Sequence, residues 1–476
     1  MKKLLVFILP AMLMTACVDS LDDYNIDEKK ASSVPAVTLF SSAQKEFTDA
    51  IVTPNVNENN FRLYMQQWTT TTYLDEPRYN MTARLIPLNL WSSIYKDVLS
   101  DLNEAKKIIS EDAILTPAVK TNQLAQVEIM EVMAWSVLVN TFGNVPYSEA
   151  LDADNSLPKY DDAKTIYDDL LTRLSGALSN IDASAGGFGD GDLFYSGNVA
   201  QWKKLGNSLM LKLALVIADS DEAKAKSLVA AAAPNVFTSN ADNAAFPYIS
   251  SPPNYNPVSA NLNSLFTSRQ DFIPTSVLID YMNELSDPRR AEFFTTVNGE
   301  YKGGEYGFTN TYSAFSHISD KIIDPTLEGI VMDYAEVEFM LAEAVERGFI
   351  TGDAAMHYEK GVTASITYWG GSAEDASAYL AQPGVAYETA GANYKEKIGM
   401  QIWLAYFNRG WDSWLTWRRL DYPQIKAPVV TGLDLKLPVR LIYPHNEPNL
   451  NGDNYAVAAQ AMGGDLATNK LWWDKF

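Results

Sequence analysis

The segment from Gln123 to Phe142 is apolar on nearly every side of a helix: Val127, Met130, Trp135, Leu138 and Val139 leave no continuous polar stripe. Such a helix has to be enclosed on more than one side, because a single partner covers only one stripe. Its neighbours in sequence can do the enclosing. From Trp91 the residues Ile94, Tyr95, Val98, Leu102, Ala105 and Ile109 recur at helical spacing. A second stripe begins at Asp161, with Ile166, Leu170, Leu174, Leu178 and Ile181 facing inward. A third begins at Val199, with Trp202, Leu205, Leu209, Leu213 and Val216. FGNVPY, from Phe142 to Tyr147, ends the enclosed helix, with Gly143 suited to a left-handed cap and Pro146 shortly after. These helices are expected to follow one another as antiparallel neighbours.

A second helical block begins near Met332. Val337, Leu341, Ala344 and Val345 form one stripe, Gly348 to Gly352 makes a turn, and Ala355, Tyr358, Val362 and Ile366 form the next. AEAVERG followed by a glycine turn and a helix carrying YEKG is similar to a tetratricopeptide-type hairpin. A hairpin of this kind cannot bury its apolar face alone, so the block is expected to stack on the first helices across more than a hundred residues. The expected architecture is all-α dominated, with tetratricopeptide-like hairpins joined by long Gly/Pro/Asn-rich loops in one domain over residues 31–476.

The N-terminus reads as an export signal. MKKLLVFILPAMLMTA has two lysines, an apolar stretch and small residues before Cys17, the only cysteine. Residues 1–16 are therefore expected to be a lipoprotein signal peptide, with Cys17 as the acylated first residue and residues 17–30 as a polar, acidic tether. Met14 stands where leucine is commonest in such signals. A chance cysteine behind an ordinary signal peptide is the alternative. A spanning helix is not expected, because the apolar run is too short for a hydrocarbon core of about 30 Å. A diacylglycerol and an amide-linked acyl chain (palmitate) on Cys17 would exceed the two-signal minimum for stable anchoring.

Charge narrows the partners. With 37 basic and 59 acidic residues the net charge is −22, which disfavours nucleic acid and broad adhesion to anionic lipid. Aromatic residues are abundant and histidines number three, a balance that suits a binding surface better than a metal or triad enzyme. A surface glycan hydrolase would need two carboxylates about 5 to 10 Å apart across a cleft, and no motif marks such a pair. Neither a nucleophile elbow nor an HExxH segment occurs, and His317, His357 and His445 are isolated. A strand-built structural subunit fits a helix-rich chain poorly.

Several segments together resemble the SusD/RagB family: FGNVPY, DLFYSGNVAQWKKLGNSLMLKLA from Asp192, YAEVEFMLAEAVERG from Tyr334, NRGWDSWLTWRRLDYP from Asn408 and LPVRLIYPHNEPNLNGDNY from Leu437. They lie in the family's order over nearly the whole chain after Cys17, and the spacing is most similar to the second SusD-like subgroup. The resemblance implies a nutrient-binding lipoprotein on the surface of the outer membrane, without enzymatic activity or cofactor. It also implies a SusC-like TonB-dependent transporter as partner, with this chain as a hinged lid that captures glycan or peptide. The acidic run after Cys17 resembles the export cue of surface lipoproteins.

Within the signatures, Trp202 and Asn207 are expected to pack and cap, and Arg418 and Arg419 to stack on Trp414 and Trp417 and pair with acids. NEPNLNGDN, Asn446 to Asn454, alternates oxygen side chains as calcium loops do, but lacks an EF-hand's full spacing; in the resembling family it chiefly pins a loop, and no metal is expected. The ligand face is expected in three stretches outside the helical pattern: residues 68–79, 246–263 and 301–315. They set rings among small polar residues, Thr in the first, Asn and Ser in the second, and Gly, Asn, Thr and Ser in the third, so a ring can lie on an apolar sugar or peptide face while amides and hydroxyls orient it. The first candidates are Trp68, Tyr73 and Tyr79, because the resembling family uses aromatics near this segment. Tyr248, Tyr255, Asn261, Asn263, Tyr306 and Tyr312 follow. Any one of these rings can equally be packing its own loop.

Overall fold

Helical stripes become helices where the sequence carries them. A computed structural model describes residues 34–476; Cys17, the leader and the tether through residue 30 lie outside those residues. Helix α1 (Ala36–Val52) buries Phe40, Ala43 and Phe47, and the short α2 (Phe61–Tyr64) buries all of its side chains. After strand β1 (Trp68–Thr70), α3 (Ile86–Ser92) runs through a π-helical segment, Ser93–Leu99, into α4 (Ser100–Glu111). The stripe expected from Trp91 is the buried one: Ile94, Val98, Leu102, Ala105 and Ile109 are in the core.

Helix α5 (Pro117–Phe142) starts six residues before the expected Gln123. Thr116 accepts a hydrogen bond from the Val119 N–H, and Pro117 fills a first-turn position that needs no donor. From Ile129 to Phe142 every residue is buried, the all-round enclosure its composition demands. Gly143 does take a positive φ of 89°, but its ψ of −122° lies outside the left-handed helical region. The chain turns there into strand β2 (Val145–Pro146), antiparallel to β3 (Tyr160–Asp161). That pairing removes Asp161 from the next helix, so α6 (Ala163–Asn180) begins after Asp162, whose carboxylate caps the Thr165 N–H. Asn198 caps α7 (Val199–Val216), and α8 (Glu222–Ala232) follows.

The first helices are antiparallel neighbours. Asn122 at the start of α5 donates to the Asp182 and Gly186 carbonyls past the end of α6, while Asn144, past α5, accepts from the Ala163 N–H. Tyr167 near the start of α6 donates to the Leu213 carbonyl near the end of α7.

Loops then alternate with short elements: β4 (Ala244–Phe246), α9 (Pro257–Leu262), β5 (Phe272–Pro274), α10 (Ser276–Glu284), α11 (Arg290–Phe293) and β6 (Gly329–Met332). β1 pairs with β5 and β4 with β6, both antiparallel. Helices α12 (Tyr334–Glu346) and α13 (Ala354–Tyr368) form the tetratricopeptide-like hairpin. Gly348 turns it at φ 66°, and Gly361 lets α13 lie against the Phe339 ring, where a Cβ would sit 3.1 Å from three ring carbons. The remaining helices are α14 (Ala373–Leu380), α15 (Tyr394–Ala405), α16 (Gly410–Leu420), α17 (Glu447–Leu450) and α18 (Gly452–Ala461).

The two helical blocks meet across a buried ionic network. Lys212 of α7 lies 2.8 Å from Glu336 of α12 and also pairs with Asp412 of α16. Arg409 completes it, 2.7 Å from Glu336 and 2.9 Å from Asp412. Residues 36–476 thereby form one compact unit.

Candidate functional site

The first ligand-face stretch divides at the end of β1. Pairing with β5 turns Trp68 into the core, where it is 1% exposed against Phe272 and Phe407, with the Arg62 guanidinium 5.3 Å from its ring centroid. Trp68 therefore presents no face to a ligand, contrary to the sequence expectation. Five residues on, Tyr73 is 52% exposed. The Arg84 guanidinium lies 5.1 Å from its ring centroid and is held there by an ion pair with Glu76, whose side chain is buried. Tyr73 is thus an exposed ring with a fixed cation beside it.

Tyr79 is half-buried, with φ 64°, and its ring centroid lies 6.4 Å from that of Tyr306 and 5.8 Å from that of Tyr64. Tyr306 is only 6% exposed, and neither hydroxyl has a protein hydrogen-bond partner. Burial pushes the Tyr79 hydroxyl up to about 12, so it stays protonated at neutral pH. Both hydroxyl oxygens are shielded from solvent, and the burial of Tyr306 corrects the expectation that it meets ligand.

The structure brings the third stretch against the first. Asn310 donates through its amide to the Thr70 and Phe308 carbonyls at 3.2 and 2.7 Å, and through its backbone N–H to Thr71. Arg78 donates to the Gly307 carbonyl at 3.0 Å. Gly307, at φ 81°, lies against Pro428, and Gln66 donates to the Lys426 carbonyl at 2.5 Å. Residues 66–85, 301–310 and 426–436 therefore make one ledge, with Val429 and Leu433 exposed on its last strip. Sequence reading missed Arg84 and the 426–436 loop. A basic residue just ahead of Leu85-Ile86-Pro87 signals only a helix entrance, and the loop carries no ring to draw notice.

The second stretch lies elsewhere, along α1 and residues 323–327. Tyr248 is buried and donates to Asp49 of α1 at 2.5 Å, which makes it a structural residue and not a ligand contact. Tyr255 stacks on Phe266 with centroids 4.5 Å apart. The amides of Asn261 and Asn263 donate to the Pro257 and Ile323 carbonyls, so their nitrogens are engaged in holding the loop. Tyr312 stacks on His317 at 3.8 Å. Of the rings expected to meet ligand, Tyr73 alone is strongly exposed; Tyr79, Tyr255 and Tyr312 are half-buried.

The signature residues hold the fold. Trp202 donates its indole N–H to Asp192 at 2.7 Å, and Asn207 donates to the Lys203 carbonyl within α7. Arg418 lies 3.5 Å from the centroid of Trp414, and Arg419 pairs with Glu343 of α12. Asn451 and Asn454 donate to the Pro158 and Leu157 carbonyls, so the Asn-rich segment pins the loop beyond β2. A groove of about 670 Å³ beside α13 and α14, lined by Asn240, Tyr334, Met356, Thr363 and Ser377, shares no residue with the ledge. No described helix is long and apolar enough to cross a membrane.

Comparison with known proteins gives this geometry a context. The SusD-like_2 family model, described as "Starch-binding associating with outer membrane", matches residues 28–444. A solved structure named a chitin-binding protein is 29% identical over 93% of this chain and 100% of its own, with a TM-score of 0.81. A SusD homologue from Bacteroides uniformis is 25% identical over 92% of this chain and 99% of its own, with a TM-score of 0.74. A chitin-binding SusD homologue from Flavobacterium johnsoniae, 24% identical over 92% of this chain and 98% of its own, shares the fold with a TM-score of 0.78. No curated protein matches the chain.

Proposed function

The chain belongs to the SusD-like family of binding proteins associated with the outer membrane, and from that membership we propose that it captures oligosaccharide at the cell surface and passes it to a SusC-like TonB-dependent transporter as its lid. The ledge carries the reading. Tyr73 offers an exposed ring beside an arginine locked by a buried glutamate. A pyranose ring suits such a surface, because its apolar face stacks while its hydroxyls hydrogen-bond outward. A chitin-binding relative at 29% identity makes N-acetylglucosamine oligomers the first ligands to try.

Acylated Cys17 would fix the body to the outer leaflet, and residues 17–30 would give it room to hinge. Closure over the transporter is then a population shift: ligand that touches both proteins only in the closed state favours that state by its differential affinity. Mass spectrometry of material co-purified with the native complex tests the ligand class. Oligosaccharide is the expected finding, together with a TonB-dependent barrel as the co-purifying protein. A ladder of peptides would transfer the same lid role to peptide uptake, and turnover of polysaccharide by the pure protein would overturn the binding role.

A further inference from the structure

Away from the ledge, a cavity of about 240 Å³ opens beside β2 and α17, lined by residues that include Trp91, Tyr95, Pro146, Leu151, Glu447 and Leu450. Two of its lining rings are held in place. Trp91 and Tyr95 lie 4.9 Å apart between centroids, and Phe142 and Tyr443 brace Trp91 edge-on at 5.1 and 6.2 Å. The Tyr95 hydroxyl is committed to the Pro146 carbonyl at 2.5 Å, which fixes its ring in turn. A carboxylate completes the lining. One oxygen of Glu447 accepts the Tyr160 hydroxyl, and the lining carries neither lysine nor arginine to neutralise the acid. Next to it in the chain, the Asn446 side-chain oxygen is buried with no hydrogen-bond partner. Leu450, 61% exposed, supplies apolar surface to the same cavity.

We propose that this cavity is a second binding site, specific for a small organic ammonium ion such as an amino sugar or a quaternary amine. Trp91 and Tyr95 line the cavity with electron-rich aromatic surface, which favours a cation, and a carboxylate without a basic partner gains most from a ligand that brings its own positive charge. Leu450 and Leu151 cover the apolar body of such a ligand.

Titration calorimetry on the full chain with choline, glucosamine and glucose tests the assignment. Choline and glucosamine are expected to bind saturably, and glucose at least about tenfold more weakly. Glu447→Gln keeps an acceptor for Tyr160 while removing the charge, and is expected to weaken both cations by at least about tenfold. Leu450→Lys, on an exposed side chain, is expected to do the same by placing a competing cation beside the cavity. Tyr73→Ala should leave these affinities unchanged. Equal binding of glucose and glucosamine, undiminished cation binding by Glu447→Gln, or no saturable binding of choline or glucosamine would each overturn the proposal.

Discussion

Glu336 shows how much one buried acid is asked to hold. Burial pushes its carboxyl up, yet Lys212 and Arg409 override that and bring it down to about 2 from an ordinary 4.5. A carboxyl depressed in the folded state stabilises above its unfolded value and loses that contribution as pH falls through the folded one. Replacing Glu336 by Gln is therefore expected to cost about 3 kcal/mol at neutral pH, with the gap to wild type closing between about pH 4.5 and 2. Urea unfolding of both proteins across that range is the check, and a gap independent of pH would sink the account. The aromatic candidates separate by the same logic of environment. Trp68→Ala should cost about 3 to 5 kcal/mol through the cavity it leaves. Tyr73→Ala, at an exposed ring, should change stability by less than about 0.5 kcal/mol while weakening oligosaccharide binding by about tenfold. Calorimetric titration with N-acetylglucosamine oligomers alongside thermal melts reads both effects; unchanged affinity would move the site away from the ledge.

At the scale of elements, close approach between helices depends on glycines whose neighbours differ in compliance. A Cβ on Gly410, in the first turn of α16, would run into the Arg62 backbone nitrogen of α2, and backbone does not rotate away. On Gly206 of α7 a Cβ would meet the tip of Leu178 of α6 at 2.7 Å, a flexible side-chain end that can. Gly410→Ala is expected to destabilise by about 1 to 3 kcal/mol, and Gly206→Ala by clearly less, since helix propensity favours alanine by up to about 1 kcal/mol. Melting temperatures of the pair decide it, and equal losses would contradict the distinction. The helices were legible because their stripes repeat within a few residues: Ile94 to Ile109, and Trp202 to Val216. The entry of α5 at Thr116-Pro117 was written in the sequence as a cap and a first-turn proline, but the apolar run beginning later drew the boundary inward. Asp161 was harder to place, since only its pairing in β3 with Val145 of β2 takes it out of α6.

For the whole molecule, the proposed anchor predicts location. Cys17→Ala is expected to move the protein from the outer-membrane fraction to the soluble fraction without changing its melting temperature, because the compact unit begins at Ala36. Fractionation of cells carrying each form checks this, and retention of the variant in the membrane would remove the lipid tether from the mechanism. The stacking of α7, α12 and α16 around Lys212, Glu336, Arg409 and Asp412 joins the two helical blocks in one compact unit, as the proposed lid role requires.

By itself the sequence determined the local periodicities: helical stripes, glycine turns and the family signatures ordered along the chain, all of which act over short separations. Tertiary structure alone decided which rings face water. Trp68 and Tyr73 are five residues apart in equally aromatic surroundings, yet β5, some two hundred residues on, turns the first inward and leaves the second outside. Tyr306 was hidden by Tyr79, and Glu447 was set beside Trp91 and Tyr95, through contacts of the same long range. Burial is a property of the packed neighbourhood, and a neighbourhood assembled from distant segments leaves no periodic trace in any one of them.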